Sequence, residues 1–269
     1  MIVDFHTHTL CSDGTQTPDE LLRRLDERGV QRFAITDHDA LDAYAALDLT
    51  ALRDRVVTGV EINTTYRHNE VHILGYGFPV DSPVLRPVLA NNAFEREQRV
   101  LEMIERLTAA GYRVTMEEVR AESAPGSPLG RPHVARALLR QGFVDSIDGA
   151  FRSLLRRGGP GYVPSTYMHP HEAVRLVRES GGVAVLAHPG RLDDYGIIED
   201  LAGVGLQGLE VFYPKHDPNE RAHFRSLAQR FDLVMTGGSD FHDPGYNQNG
   251  VGMEVDPSDL AGFFALLER

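Results

Sequence analysis

Two histidines that stand two residues apart, His6 and His8, follow the first short apolar run of the chain in the segment DFHTHTLCSDG. Side chains two residues apart on an extended strand project to the same face, so both imidazoles can reach one metal ion. Asp13 stands five residues further on and offers a carboxylate oxygen. Taken alone, this segment is equally compatible with a chance pair of histidines at an exposed strand end.

Residue types that commonly bind metals recur at the other apolar runs, in the segments ITDHD, TGVEI, VHILGYG, VLAHPGR and TGGSDFH. Most of them stand at or just past the carboxyl end of a predicted strand, which is the face where parallel α/β barrels assemble their sites. His72 stands near the start of its run and fits this pattern less well. A buried structural histidine would explain any one of these residues, but it does not explain nine donors on six strands. The sequence therefore predicts a metal centre with the candidate ligands His6, His8, Asp13, His38, Glu61, His72, His188, Asp240 and His242.

Short strands that alternate with helices are the elements that must position these residues. In TPDELLRRLDERG, for example, Thr17 can cap a helix, Pro18 suits its first turn and Glu20 completes a capping box. The alternation predicts an α/β fold with a parallel sheet that is buried on both faces. The seven predicted strands are Ile2 to Phe5, Phe33 to Thr36, Val56 to Ile62, Val71 to Leu74, Val183 to Ala187, Leu209 to Phe212 and Leu233 to Thr236.

A long interruption separates the fourth and fifth predicted strands, because more than a hundred residues lie between Val71 and Val183. A long helix is predicted from Asn91 to Gly111, and the segments PHVARALLRQG and DSIDGAFRSLLRRGG predict two further helices. We therefore predict a helical insert or lid domain at residues 81–161, within a metal-binding domain formed by residues 1–80 and 162–269. The stretch from 91 to 160 has eleven arginines and nine acidic residues, so it is slightly basic within an acidic chain.

The composition excludes several classes of protein. The chain has 269 residues, of which 42% are hydrophobic and 25% charged, as in folded globular proteins, and its lone cysteine cannot form an intrachain disulfide. No apolar run is long enough to cross a membrane, so we expect a cytoplasmic protein that does not bind membranes. The net charge of −12 disfavours binding of duplex DNA. The oligomeric state is left open.

Six separated motifs in one order resemble the PHP (polymerase and histidinol phosphatase) superfamily in its stand-alone phosphoesterase branch. They are His-x-His-x₄-Asp-Gly, Thr-Asp-His, Gly-x-Glu, a histidine eleven residues after that glutamate, Ala-His-Pro-Gly-Arg and Ser-Asp-x-His. The resemblance implies a distorted (β/α)₇ barrel with a helical insertion between strands 4 and 5. The insert is similar to that of the branch with the 3′,5′-nucleotide bisphosphate phosphatases and a 5′-to-3′ exoribonuclease.

The resemblance also implies two or three divalent ions and an allocation of their ligands. His6, His8, Glu61 and Asp240 would hold one ion; Glu61, His72 and His188 a second; and Asp13, His38 and His242 a third. Imidazole and carboxylate ligands suit manganese, which we place first, with iron or zinc as alternatives. Asp4 and Asp37 would either orient neighbouring imidazoles or have a plain structural role.

Arginines are expected near the ions because their fork of donors suits phosphate. The substrate-binding candidates are Arg96, Arg99, Arg131, His133, Arg191 and His216, and Glu61, Asp240, His188, Arg131 and His133 are the catalytic candidates. The alternative for Arg96 and Arg99 is a solvated helix face that pairs with Glu95 and Glu102. His216 could equally be a surface or capping histidine, as could His169 and His171, and His68 and His223 are expected at the surface.

The predicted function is metal-dependent hydrolysis of nucleotide phosphate esters by a metal-bound hydroxide. The resemblance narrows the substrates to 3′,5′-bisphosphorylated nucleotides or short single-stranded RNA 5′ ends. The alternatives are a histidinol-phosphate or nucleoside-monophosphate phosphatase, a non-catalytic module of the same superfamily, and metal-dependent C–N hydrolysis.

Overall fold

The computed structural model describes residues 1–67, 69–245, 247 and 249–268, so His68 lies outside the described residues. Its strands are β1 (Ile2–Asp4), β2 (Arg32–Phe33), β3 (Gly59–Tyr66), β4 (Asn69–Tyr76), β5 (Val183–Leu186), β6 (Gly208–Phe212), β7 (Val234–Gly237) and β8 (Met253–Glu254). Its helices are α1 (Pro18–Glu27), α2 (Leu85–Ala109), α3 (Met116–Arg120), α4 (Arg131–Arg140), α5 (Ile147–Ser153), α6 (Pro170–Glu179), α7 (Gly196–Gly203), α8 (Pro218–Arg230) and α9 (Pro257–Leu267). Strands and helices alternate over much of the chain, so the fold is mixed α/β, as predicted.

The strands form two sheets, in the orders β2-β1-β8 and β3-β4-β5-β6-β7. The β1–β2, β5–β6 and β6–β7 pairs are parallel, whereas the β3–β4, β4–β5 and β1–β8 pairs are antiparallel. The expected all-parallel sheet is therefore wrong. Strands β3 and β4 follow one another after only two residues, which leaves no room for the crossover that parallel pairing requires.

Isolated bridges connect the two sheets where ladders are interrupted. Thr7 bridges to Phe241, next to β1 and β7, while Phe33 bridges to Val56 and His38 to Glu61 on the other side. The backbone N–H of Phe5 also donates to the carbonyl of Gly237 at 3.0 Å. The ladders of the described residues do not close into a continuous barrel, and the short strand β8 was not predicted.

Helices α1, α3 and α8 begin at capping boxes in their local sequence. At α1, Thr17 Oγ1 accepts from the backbone N–H of Glu20 at 3.2 Å, and the Glu20 carboxylate accepts from the Thr17 N–H at 2.8 Å, which confirms the predicted capping box. Helix α2 begins at Leu85, six residues before the predicted start, because its first turns carry Leu85 and Leu89 into the main core. No helix among the described residues is long and apolar enough to cross a membrane.

Two groups of buried apolar side chains stabilise the chain. The larger one packs helices against both sheets, and the smaller one consists of residues between 100 and 163 from α2, α3, α4, α5 and the segments that connect and follow them. Helix α2 contributes its first half to the larger group and its second half to the smaller one. This helix therefore joins the segment between β4 and β5 to the sheets that carry the predicted ligands.

Candidate metal centre

The carboxylate of Glu61 lies at the centre of the predicted ligands. Its Oε2 atom is 3.1 Å from His6 Nε2, 3.1 Å from His8 Nε2 and 3.2 Å from His38 Nδ1. Its Oε1 atom is 2.7 Å from His72 Nδ1 and 3.1 Å from His188 Nε2. Glu61 is 1% exposed, so five imidazoles from different parts of the chain surround one buried carboxylate.

The antiparallel pairing of β3 and β4 explains the position of His72. Glu61 pairs with Leu74 and Asn63 pairs with His72, so His72 lies diagonally across the ladder from Glu61. Strand β3 continues to Tyr66, so Glu61 is its third residue and does not stand at its carboxyl end as predicted. Because residues two apart share a face, Glu61, Asn63 and His72 project to the same side. The antiparallel register thus brings His72 to the Glu61 carboxylate.

A close approach of two backbones brings the carboxyl ends of β1 and β7 together. A Cβ atom added to Gly238 would lie 2.3 Å from the Cβ of His6, so only glycine fits there. The N–H of Asp240 then donates to the carbonyl of His6 at 2.8 Å, and the Asp240 Oδ1 atom lies 3.4 Å from both His6 Nε2 and His8 Nε2. His188 and Asp240 have positive φ angles of 27° and 53°, so the backbone is strained at these two predicted ligands.

Three overlapping groups of donor atoms could each hold an ion. They are His6, His8, Glu61 and Asp240; His8, Asp13, His38 and His242; and His38, Glu61 and His72, with the ligand atoms of each group within 4.8 Å of one another. The first group is the one that the resemblance implied. In the second group His8 joins the three implied residues, and in the third group His38 stands where His188 was implied.

The orphaned polar atoms of this cluster fit divalent cations. Among the described residues, His6 Nε2, both ring nitrogens of His8, Glu61 Oε2 and His72 Nε2 are buried without a hydrogen-bond partner. Such atoms are costly unless something satisfies them. These atoms converge at ligand-like spacing, and a mixture of imidazole and carboxylate donors suits manganese, iron or zinc. The residues present therefore fit a divalent metal centre.

The electrostatics of the cluster keep its carboxylates ionised. Burial alone would raise the pKa of Glu61, but the imidazoles of His38 and His6 outweigh burial and hold it well below its usual range. Asp240 and Asp13 behave in the same way, with His6 and His38 respectively as the strongest neighbours. Burial lowers the pKa of His8, yet the carboxylates of Asp240 and Glu61 raise it to about 10. The negative charge of these carboxylates thus favours the binding of cations.

Glu210 on β6 supports the centre and was not predicted from the sequence. Its Oε1 atom accepts from His6 Nδ1 at 3.0 Å, its Oε2 atom accepts from the His188 N–H at 2.7 Å, and the side chain is fully buried. An imidazole whose Nδ1–H donates to a carboxylate directs Nε2 towards a metal. The only signal in the sequence was an acidic residue inside the apolar run LEVF.

Asp4 and Asp37 do not orient imidazole rings. The Asp4 carboxylate accepts from Ser239 N–H at 2.8 Å and from Gly252 N–H at 2.7 Å, which ties β1 to the loop that carries Asp240. The Asp37 carboxylate accepts from Thr9 N–H at 2.7 Å and from Ser12 Oγ at 2.6 Å, which holds the loop after β1. Both aspartates act on the backbone next to ligands.

Arg96 and Arg99 of α2 and Arg131 of α4 line the cavity beside the cluster. Arg96 is 4% exposed and donates to the carbonyl of Leu129 at 2.9 Å, so the alternative of a solvated helix face is wrong for it. Arg99 Nη1 and Arg131 Nη2 each lie 2.5 Å from an oxygen of Glu70, on β4. Burial would raise the pKa of Glu70, but Arg131 and Arg99 lower it strongly.

Two predicted histidines contact backbone groups through both of their ring nitrogens. His133 is fully buried: its Nδ1 accepts from the Gly130 N–H and its Nε2 lies near the Ser12 carbonyl, both at 3.0 Å. His216 is 3% exposed, with Nδ1 at 3.0 Å from the Val211 carbonyl and Nε2 accepting from the Gly190 N–H at 3.2 Å. The catalytic role of His133 and the substrate-binding role of both histidines stay predictions.

One cavity of about 340 Å³ joins the metal ligands to the arginines. Arg191 follows the His188 loop, lines this cavity, and has its Nη1 atom 3.6 Å from Asp240 Oδ2. Apolar side chains of the smaller core, including Met103 and Phe151, form part of the wall. The cavity thus offers a charged end for a phosphate and an apolar wall for an organic group.

Comparison with known proteins agrees with this geometry. The chain is 36% identical to the phosphoribosyl 1,2-cyclic phosphate 1,2-diphosphodiesterase of Eggerthella lenta, over 90% of this chain and 94% of that protein. It is 35% identical to the 5′-3′ exoribonuclease Rnm of Escherichia coli, over 91% and 86%, and 33% identical to the 3′,5′-nucleoside bisphosphate phosphatase of Chromobacterium violaceum, over 94% and 92%.

A solved structure has the same fold. A protein of Chromobacterium violaceum described as an amidohydrolase, with bound sulfate and no metal, superposes with a TM-score of 0.91 at 32% identity, over 99% of this chain and 95% of that one. The model of the PHP domain family matches residues 4–159. The chain therefore belongs to the PHP domain family and is one of its metal-dependent phosphoesterases.

Proposed function

We propose that this phosphoesterase hydrolyses phosphate esters of nucleotides, with 3′,5′-bisphosphorylated nucleotides or the 5′ ends of short single-stranded RNA as its substrates. The observation that carries the proposal is a single cavity that is lined by Glu61 with the imidazoles of His38, His72 and His188 and also by Arg96, Arg99 and Arg131. The activities for which two relatives are named, those of an exoribonuclease and a nucleoside bisphosphate phosphatase, support this substrate class.

Two or three divalent ions, manganese in the first instance, would be held by the nine predicted ligands His6, His8, Asp13, His38, Glu61, His72, His188, Asp240 and His242. Divalent ions in such a site polarise phosphoryl oxygens and lower the pKa of bound water. Glu61 would contact more than one ion, because both of its oxygens lie among imidazoles. Glu210 would hold His6 in the ligating tautomer.

Arg96, Arg99, Arg131 and Arg191 would bind the phosphate, since all four line the cavity beside the ligands. Residues 81–161 would serve as a lid that supplies three of them. The bridges between the two sheets support a distorted seven-stranded barrel as the frame of the centre. The sulfate in the solved relative supports a tetrahedral anion as ligand.

A phosphate-release screen with added manganese tests this proposal. It compares 3′,5′-bisphosphorylated nucleotides, nucleoside monophosphates, 5′-phosphorylated oligonucleotides, a cyclic sugar phosphate and histidinol phosphate. We expect a 3′,5′-bisphosphorylated nucleotide to have at least about tenfold higher kcat/KM than the matching monophosphate, or some 1.4 kcal/mol of discrimination, because a second phosphate pairs with the remaining arginine donors. A monophosphate, a cyclic phosphate or histidinol phosphate as the best substrate would contradict the proposal.

A further inference from the structure

A second cavity of about 370 Å³ adjoins the metal cavity. It lies over the turn between β3 and β4, beside the loop after His188 and the segment from 157 to 165. Glu70, Arg99, Arg131 and Arg191 line both cavities, so they form the boundary between them. Nothing in the proposed hydrolysis of a mononucleotide uses the far side of this second cavity.

The second cavity is positively charged although the chain as a whole carries −12. Five arginines and three carboxylates line it, which leaves a net charge of +2. Two of these arginines, Arg67 and Arg157, are exposed and line only this cavity, and Arg67 lies 3.9 Å from the exposed Asp194. Exposed pairs at this distance are weak, so an anion in the cavity can compete for the guanidinium.

The boundary is ordered by ionic contacts. Glu70 holds Arg99 and Arg131 at 2.5 Å each, and Arg99 Nε donates to the carbonyl of Val163 at 3.0 Å. Because a guanidinium has five N–H donors, each arginine keeps donors beyond those used by Glu70. A phosphate at the metal ligands and a further phosphate in the second cavity would both lie next to this boundary.

Two tyrosines complete the second cavity. Tyr66 and Tyr162 line it, and the guanidinium of Arg67 lies 5.0 Å from the ring centroid of Tyr66. Arginines along a groove with interspersed aromatic rings are the combination that binds single-stranded nucleic acid, where phosphates meet cations and bases stack on rings. A mononucleotide would need only the first cavity, which already has an apolar wall.

We propose that the second cavity binds the chain of a single-stranded polynucleotide beyond the nucleotide whose terminal phosphate lies at the metal centre. Arg67 and Arg157 would pair with its phosphodiester groups, and Tyr66 and Tyr162 would contact its bases. This inference rests on the proposed function. The two cavities together would determine the length of the substrate that the enzyme accepts.

The test compares two substrates on the manganese-loaded full chain: a 3′,5′-bisphosphorylated mononucleotide and a 5′-phosphorylated single-stranded RNA pentanucleotide. The double variant Arg67→Ala/Arg157→Ala should lower kcat/KM for the pentanucleotide at least about tenfold through KM, and leave the mononucleotide within about twofold. Because the double variant removes two cations that pair with phosphates, the slope of log KM against log salt for the pentanucleotide should fall by about 1.4. Arg113→Ala is the matched control, because Arg113 is an exposed arginine of the insert that lines neither cavity.

The outcomes separate this inference from the function on which it rests. Equal decreases on both substrates, an unchanged pentanucleotide KM, or a wild-type enzyme that cleaves only the mononucleotide would overturn the second cavity as a polynucleotide site while the proposed hydrolysis stands. Wild-type protein that releases phosphate from neither substrate would overturn the proposed function as well. Retained mononucleotide turnover in the double variant also shows that the variant is folded.

Discussion

Replacing Glu210 by glutamine tests whether a carboxylate outside the ligand set controls metal affinity. Glu210 is fully buried and contacts His6 Nδ1 at 3.0 Å and the His188 N–H at 2.7 Å. Burial raises the pKa of Glu210, while His6 opposes that rise. Glutamine has the same shape, but its side chain has one carbonyl oxygen in place of two carboxylate oxygens.

The size of the effect follows from the two hydrogen bonds. The neutral amide weakens the bond to His6, because charge-assisted hydrogen bonds are roughly twice as strong as neutral ones. Its NH₂ group cannot accept from the His188 N–H if its oxygen serves His6. We therefore expect the first bound ion to lose about 1.4 to 3 kcal/mol, or tenfold to a hundredfold in Kd, in the range seen when partners of ligating histidines are removed.

The assay is competition between metal-stripped protein and a chelator for Mn²⁺, which measures Kd without turnover. Asp259→Asn is the control, since Asp259 is a carboxylate paired with Arg225 between α8 and α9, away from the ligands. The control should change stability and leave Kd unchanged. Equal Kd values for Glu210→Gln and wild type, with both proteins folded, would refute the role of Glu210 in orienting His6.

Four further variants test the rest of the site. Glu61→Gln removes the carboxylate that five imidazoles surround, so the metal content measured by elemental analysis should fall and phosphate release should almost vanish. Full metal content in this variant would contradict the role of Glu61 as a ligand. Arg99→Ala and Arg131→Ala each remove a contact worth about 1.5 to 3 kcal/mol, so kcat/KM should fall roughly ten- to hundredfold at unchanged metal content. Wild-type kcat/KM in both variants would exclude contact of these arginines with the substrate. Burial lowers the pKa of His133 from 6.5 to about 4, so the unfolded state binds the proton first. The stability that this group contributes is therefore present above about pH 6.5 and is lost towards pH 4, by about 3 kcal/mol. Urea unfolding of metal-free protein measures this loss. The free energy of unfolding should fall less steeply between about pH 6.5 and pH 4 in the His133→Gln variant than in wild type.

Much of the ligand set could be predicted from the sequence because local geometry constrains it. His6 and His8 share a strand face by the two-residue period, and ligand-type residues that follow buried strands collect at one end of a parallel array. The order of the six motifs was specific enough to indicate the family, which the family match confirms. The capping box of α1 could also be predicted from local geometry, since its two partners are three residues apart.

Tertiary structure decided what depends on pairing between distant segments. The antiparallel register of β3 and β4 brings His72 to Glu61, although periodicity alone does not reveal strand direction. His133 contacts the Ser12 carbonyl across 121 residues and His216 contacts the Gly190 N–H across 26 residues, so no local motif shows that these ring nitrogens have partners.

Tertiary structure also decided the contacts of the residues that act on the site through another side chain. Glu210 meets His6 across 204 residues, and Glu70 meets Arg99 and Arg131 across 29 and 61 residues. Sequence patterns determine which faces of a strand or helix are apolar and which donors stand at its end. Only the packed sheets and the helices between β4 and β5 determine which buried donor meets which acceptor, because that pairing is set by the burial of apolar side chains elsewhere in the chain.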